Sequence, residues 1–378
     1  MGTLTQLRRF GTGLAVFAVA GTACSRDASG AAEGLSDADL GDEIAKRIEV
    51  RENPAIFALF VMLNAAGYDE ERGSEMHPVR RAVRSALPRL LADSAFTRVE
   101  AYFKAHATHA DLRTYSAVAM ATSGPPNYTP TFAWTDDLSR KAEFRELAGL
   151  PAQLRAFHRA FPVDSVYRTH LLAYRTYIID YTTAVRREVA AALRYCRVRE
   201  RGELAGLGDH GRVVVIPNLL MSHQLSFSFA VDTTFYSVEG PQSVVTFSPH
   251  EFIHAATTPL GTDAARFAAL QQKAAPAWAA VQDRSGMSQF ASLSAFVDEN
   301  LVRAIALRYH EARDDARQKE VLTQAVDAAR SGMILVPYFV EQLARYEDQT
   351  DPLRAYYPRL FDRLDGPREL ARWRDSIR

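Results

Sequence analysis

"SPHEFIHAATTP", residues 248 to 259, sets two histidines four positions apart, with a glutamate directly after the first. Ser248 is a favourable helix N-cap and Pro249 a favourable first helical residue, so a short helix is expected to begin here. Thr257, Thr258, Pro259 and Gly261 are expected to end it. On that helix His250 and His254 lie one turn apart on the same face. Two imidazole nitrogens so placed can take two vertices of a tetrahedral Zn²⁺. Glu251 can then act as general base, taking a proton from a metal-activated water without itself being a ligand. A structural reading of the same residues also stands: Ser248 and Glu251 have the spacing of a capping box.

A third protein ligand has to come from elsewhere, and "SLSAFVDENLVRAIALRY", 292 to 309, supplies a candidate. On a helical wheel Leu293, Val297, Leu301, Ala304 and Ile305 form one apolar stripe, while Ala295, Glu299, Val302 and Ala306 share another side. Glu299 therefore sits among small residues on a helix that is apolar on two sides. A carboxylate buried there must be paired or ligate a metal. Asp298 is the alternative ligand, or a carboxylate that orients His250 or His254 from behind. A plain i,i+4 salt bridge from Glu299 to Arg303 is the structural alternative.

Outward from these two helices the chain is ordinary in bulk. Its 378 residues are 47% hydrophobic and 24% charged with zero formal net charge. That is a globular composition with nothing to favour nucleic acid as a partner. The N-terminus differs. Arg8 and Arg9 precede "FGTGLAVFAVAGTAC", residues 10 to 24, a cationic start followed by a short apolar run and a small-residue exit. Residues 1–23 are expected to be a secretory signal. Cys24 follows in a lipobox-like setting, although Gly21 stands where leucine is preferred. Lipid attachment at Cys24 is expected, with simple cleavage and free secretion as the alternative. Residues 24–39, small and polar, are expected to be a flexible tether. The remaining cysteine, Cys196, then has no partner, and "AALRYCRV" marks it as a small buried hydrophobe.

The body, 40–378, is expected to be one catalytic domain with an N-terminal helical part. "NPAIFALFVMLNAAGY" opens as a helix at Asn53-Pro54 and closes near Gly67. Tyr174, Tyr177 and Tyr181 recur at helical spacing and point to core. "SGPPNYTPTFAW", 123 to 134, is a loop. The texture turns to strand in "RVVVIPNLL" (212–220), "LSFSFAVDTTFYSV" (225–238) and "QSVVTF" (242–247), then back to helix. The fold class expected is mainly α with a small β-sheet (α+β), with the histidine helix buried and following a strand.

These features together resemble an uncharacterised group of bacterial H-E-x-x-H proteins, many of them exported, viewed as gluzincin-like metallopeptidases. The resemblance runs from "ENPAIFALFVMLNAAGY" through "HEFIHAATTPL" and "ENLVRAIALRY" to "GMILVPYFVEQLARYE" (332–347). Only the histidine motif in it is specific. It implies a zincin-like architecture, one Zn²⁺ per chain held by His250, His254 and Glu299, and Glu251 as catalytic base. The metzincin pattern is excluded, because Thr257 and Leu260 stand where it needs glycine and histidine. Thr258-Pro259 replaces a frequent Asn-Pro, a departure read as leaving the metal chemistry untouched. A hydrolase also needs a donor to the oxyanion. Among Tyr309, His310, Tyr338, Tyr356 and Tyr357, Tyr338 is the choice, within the resembling stretch. The expected setting is the bacterial cell envelope, lipid-anchored or free after export, with a peptide or protein substrate. A zinc-containing binding lipoprotein without turnover and a peptidoglycan amide hydrolase are the alternatives.

Overall fold

The structure is a computed structural model. It describes residues 37–68, 76–106, 112–131, 145–200, 203, 204, 207, 212–223, 225–241, 247–262, 264–284, 287, 290, 292–310 and 315–377. The expected signal segment, Cys24 and most of the expected tether lie outside these residues, as does the expected strand at 242–247 apart from Phe247. The last three tether residues, 37–39, belong to a helix.

In chain order, α1 (Asp37–Arg47) runs straight into β1 (Ile48–Val50). Then come α2 (Pro54–Ala65), α3 (Pro78–Leu90), α4 (Asp93–His106), α5 (Leu112–Met120), α6 (Leu150–Ala160) and the long α7 (Val163–Tyr195). Three strands follow, β2 (Arg212–Pro217), β3 (Ser226–Val231) and β4 (Thr234–Glu239). The C-terminal part is α8 (His250–Thr262), α9 (Ala264–Gln271), α10 (Ala275–Val281), α11 (Leu293–Arg308), α12 (Asp315–Arg330), α13 (Val336–Glu347), α14 (Leu353–Tyr356) and α15 (Gly366–Ser376). The described chain is thus mainly helical with one small mixed sheet, an α+β fold. It divides into two compact units, and the chain passes from one to the other more than once, including inside α7 at Val185–Arg186.

The first unit holds Ile48–Val185 and the strands up to Phe247. Its sheet has the order β1-β2-β4-β3, with β1 and β4 both parallel to β2 and β3 antiparallel to β4. Val213–Ile216 are all buried, the unbroken apolar run of a strand covered on both faces. β1 was not expected. Three residues leave too short a period to read, and they pair with Val213–Val215 far along the chain.

Helix α2 is the centre of that unit. Every residue from Ala55 to Asn64 is buried, as a helix apolar on all sides must be. Asn53 Oδ1 accepts from the N–H groups of Ala55 and Ile56, a cap worth about 1 kcal/mol. Past its end, Gly67 has a φ of 88°, a left-handed position that suits glycine. Asn64 and the fully buried Arg80 form a polar knot there. Arg80 Nε donates to Asn64 Oδ1 at 2.9 Å, and Asn64 Nδ2 donates to the carbonyls of Phe60 and Leu220. Of the tyrosine stripe on α7, Tyr174 and Tyr181 are core residues and Tyr177 is half-buried.

The second unit holds α1, Arg186–Asp209 and Ser248–Arg378. Here α11 is central, packed against both α8 and α13. Its buried residues Phe296, Val297, Leu301, Val302, Ala304 and Ile305 face neighbours on two sides. Ser292 caps it, accepting from Ala295 N at 3.2 Å. Asn300 Oδ1 accepts from Leu335 N at 3.0 Å, fixing the start of α13 against α11. The chain reaches that start through Gly332, whose φ of 112° a side chain would strain. Cys196 is buried, and burial pushes its thiol up to about 12, so it behaves as a small apolar residue. Among the described residues no helix is long and apolar enough to cross a membrane.

Candidate metal centre

The quoted stretch forms α8, but that helix does not stop at Thr257–Gly261. It continues through Pro259 to Thr262. Pro259 lacks only one backbone donor, and Phe252, Ile253, Ala255, Ala256 and Leu260 are all buried. Packing outweighs the local breaker. The helix begins at His250, one residue later than expected, with Pro249 just outside it and its carbonyl accepting from Ile253 N at 2.9 Å.

Because α8 lies against α11, the side chains of both helices meet. His250, His254 and Glu299 form a group whose donor atoms could hold a metal ion. The spacings are 3.1 Å between the two histidine Nε2 atoms, 3.3 Å from His254 Nε2 to Glu299 Oε2, and 3.4 Å from His250 Nε2 to the same oxygen. A tetrahedral ion with donors ~2.0–2.1 Å away spaces its ligand atoms ~3.3–3.4 Å apart. The three atoms already stand at that spacing, so the residues present fit such an ion. Glu299 has a side chain only 2% exposed, against 18% for His250. The cluster is open at the His250 side and closed behind Glu299.

Asp298 supplies the layer behind. Its Oδ2 lies 2.8 Å from His254 Nδ1 and also accepts from the Thr258 hydroxyl at 2.9 Å. A carboxylate can only accept, so Nδ1 carries the hydrogen of that bond, which leaves Nε2 as the nitrogen turned toward Glu299 and His250. Burial opposes a charge on His254, but the hydrogen bonds and charges of Asp298 and Glu299 outweigh it and raise the imidazole to about 10. Burial likewise opposes ionised Glu299, yet Arg303 and the two histidines hold its carboxyl well below the usual carboxylate range. This corner of the protein favours a positive charge among its donors.

Thr258 is a participant that the sequence reading set aside. Its hydroxyl donates to the same Asp298 oxygen that is bonded to His254 Nδ1. The signal was its position: Thr258 is one turn after His254 on the same helix. Glu251 is buried next to the ligand positions in sequence.

Of the expected oxyanion donors, Tyr338 is committed elsewhere. Its hydroxyl donates to the Leu360 carbonyl at 2.8 Å, and the charges around it are those of Glu369, Arg345 and Asp362. Tyr309 donates to Glu188 Oε2 at 2.7 Å, with His310 Nδ1 3.8 Å from the same oxygen. Tyr357 accepts from Gln271 Nε2 at 3.2 Å. Burial, together with the charge of Asp298, raises the Tyr357 pKa.

Compared with protein-family models, with curated proteins and with solved structures, the chain finds no match in any of the three.

Proposed function

We propose that this chain is an exported zinc-dependent hydrolase of the gluzincin-like metallopeptidase type, zincin-like in the pairing of α8 with α11. The observation that carries the reading is the spacing of three donor atoms, 3.1, 3.3 and 3.4 Å, with His254 Nδ1 bonded to Asp298. Two imidazoles and one carboxylate are the donor set of catalytic rather than structural zinc sites, which are closed by four protein ligands. Zinc bound there supplies Lewis acidity, lowering the pKa of water and polarising a carbonyl.

The chain's own residues do the rest. His250, His254 and Glu299 hold the ion. Asp298 and Thr258 keep the His254 ring turned so that Nε2 points inward. Glu251, on the same turn as His250, serves as general base and takes the proton of the attacking water, then delivers it to the leaving amine. A peptide or protein is the substrate class that fits this reading. The Arg8–Cys24 segment supports export and attachment to the cell envelope by lipid at Cys24, with zero net charge giving no reason to invoke nucleic acid.

The test is zinc content together with digestion of a broad peptide library, comparing wild type with Glu251→Gln. Bound zinc with cleavage by wild type alone is the expected result. Zinc without cleavage by either protein favours the binding lipoprotein. Absence of zinc from wild type overturns the proposal.

A further inference from the structure

The two oxygens of Glu299 have different partners. Oε2 faces the histidines, 3.3 Å from His254 Nε2 and 3.4 Å from His250 Nε2. Oε1 points the other way and accepts from Arg303 Nε at 2.6 Å. Arg303 is one turn further along α11, so the helix itself sets where its guanidinium can reach. The guanidinium comes from the solvent side, with a side chain 42% exposed, while the carboxylate it grips is 2% exposed. An exposed pair at this spacing would exchange freely with water. A buried carboxylate has few rotamers to choose from, and a charge-assisted bond to one oxygen fixes which oxygen looks inward.

This bears on how Glu299 can meet a metal. A carboxylate ligates through one oxygen or through both. A catalytic zinc site has three protein ligands and a remaining position for water or substrate. Were Glu299 to swing both oxygens onto the ion, it would crowd that position.

We propose that Arg303 is a positioning residue of the metal centre: by holding Glu299 Oε1 it restricts the carboxylate to ligation through Oε2 and keeps a coordination position open. The inference rests on the metal reading given above. It assigns a role to a residue that would otherwise be a surface partner in an ion pair, and it predicts a change in coordination rather than in folding.

The experiment is titration of the metal-free full chain with Co²⁺, whose visible bands are intense in four-coordinate sites and weak in five-coordinate ones. Wild type should take one equivalent and give the intense spectrum. Arg303→Met should still bind one equivalent but shift to the weaker spectrum, as Oε1 is released. Arg303→Lys, whose ammonium can still donate to Oε1, should return most of the wild-type intensity. Variant spectra that superimpose on wild type overturn the inference alone. So does complete loss of cobalt from Arg303→Met, because losing an orienting partner should weaken binding by ~10–100-fold and not abolish it. A wild type that binds neither Co²⁺ nor Zn²⁺ overturns the metal reading, and this inference with it.

Discussion

Asp298 and His254 are 44 residues apart in the chain and 2.8 Å apart in the fold, carboxylate Oδ2 to imidazole Nδ1. The bond places a hydrogen on Nδ1 and orients a ring whose other nitrogen lies 3.3 Å from Glu299 Oε2. One imidazole is thus held between two adjacent carboxylates of α11, each on a different ring nitrogen. Thr258, also bonded to Asp298, ties the arrangement back to α8.

Removing a ligand and removing its support should differ in degree. We expect one zinc per wild-type chain and near-complete loss of zinc in His254→Ala and Glu299→Ala. Asp298→Ala should retain zinc with affinity weakened ~10–100-fold, the usual effect of losing an orienting partner. Competition with a chromophoric chelator measures all three. Equal affinity in Asp298→Ala and wild type would show that the hydrogen bond does not matter to the metal.

Glu251→Gln should hold zinc as wild type does and turn over no peptide, because an amide cannot accept the proton from water. Metal analysis and a fluorogenic peptide assay on the same sample separate binding from chemistry. Residual turnover near the wild-type rate would remove Glu251 from the general-base role.

A pH effect is expected in the first unit, far along the sequence from the metal residues. His77 Nδ1 caps α3 by accepting from Val79 N at 3.2 Å, which only the neutral ring can do. Burial, reinforced by the nearby His223 and His170, lowers its pKa to about 4, against 6.5 for an unconstrained histidine. Between those values the unfolded chain takes up the proton and the folded chain does not. The cap's contribution is therefore complete above about pH 6.5 and lost as pH falls toward about 4. His77→Asn keeps an N-cap that does not titrate. Its urea midpoint should fall less steeply with acid than that of wild type, and parallel curves would rule the mechanism out.

The Arg308–Glu347 pair should be a strong point of the second unit. Both guanidinium contacts are short, 2.7 and 2.6 Å, and Glu347 also accepts from the Tyr195 hydroxyl at 2.8 Å. Each of the paired side chains is only 7% exposed. Glu347→Ala leaves a buried arginine without its countercharge and should cost about 3 kcal/mol in a urea unfolding curve. A loss below about 0.5 kcal/mol would mean that the pair behaves as an exposed one.

The sequence by itself determined what depends on near neighbours. Asn53-Pro54 announced the cap of α2, because a side-chain oxygen there meets N–H groups two and three residues on. The four-residue step from His250 to His254 put both rings on one helical face, because 3.6 residues make a turn. The same periodicity singled out Glu299 and Asp298 but could not rank them, since adjacent helical residues point about 100° apart and either could face the histidines. Only the packing of α11 on α8 decided that Glu299 reaches the Nε2 atoms and Asp298 the Nδ1. Tertiary structure also carried α8 through Pro259, engaged Thr258, and turned Tyr338 toward Leu360. It alone joined β1 to β2, pairing Ile48–Val50 with Val213–Val215 across the six described helices between them. Local sequence fixes which face of an element is apolar, but the identity of the element that covers it is a long-range contact, and no period along the chain records that.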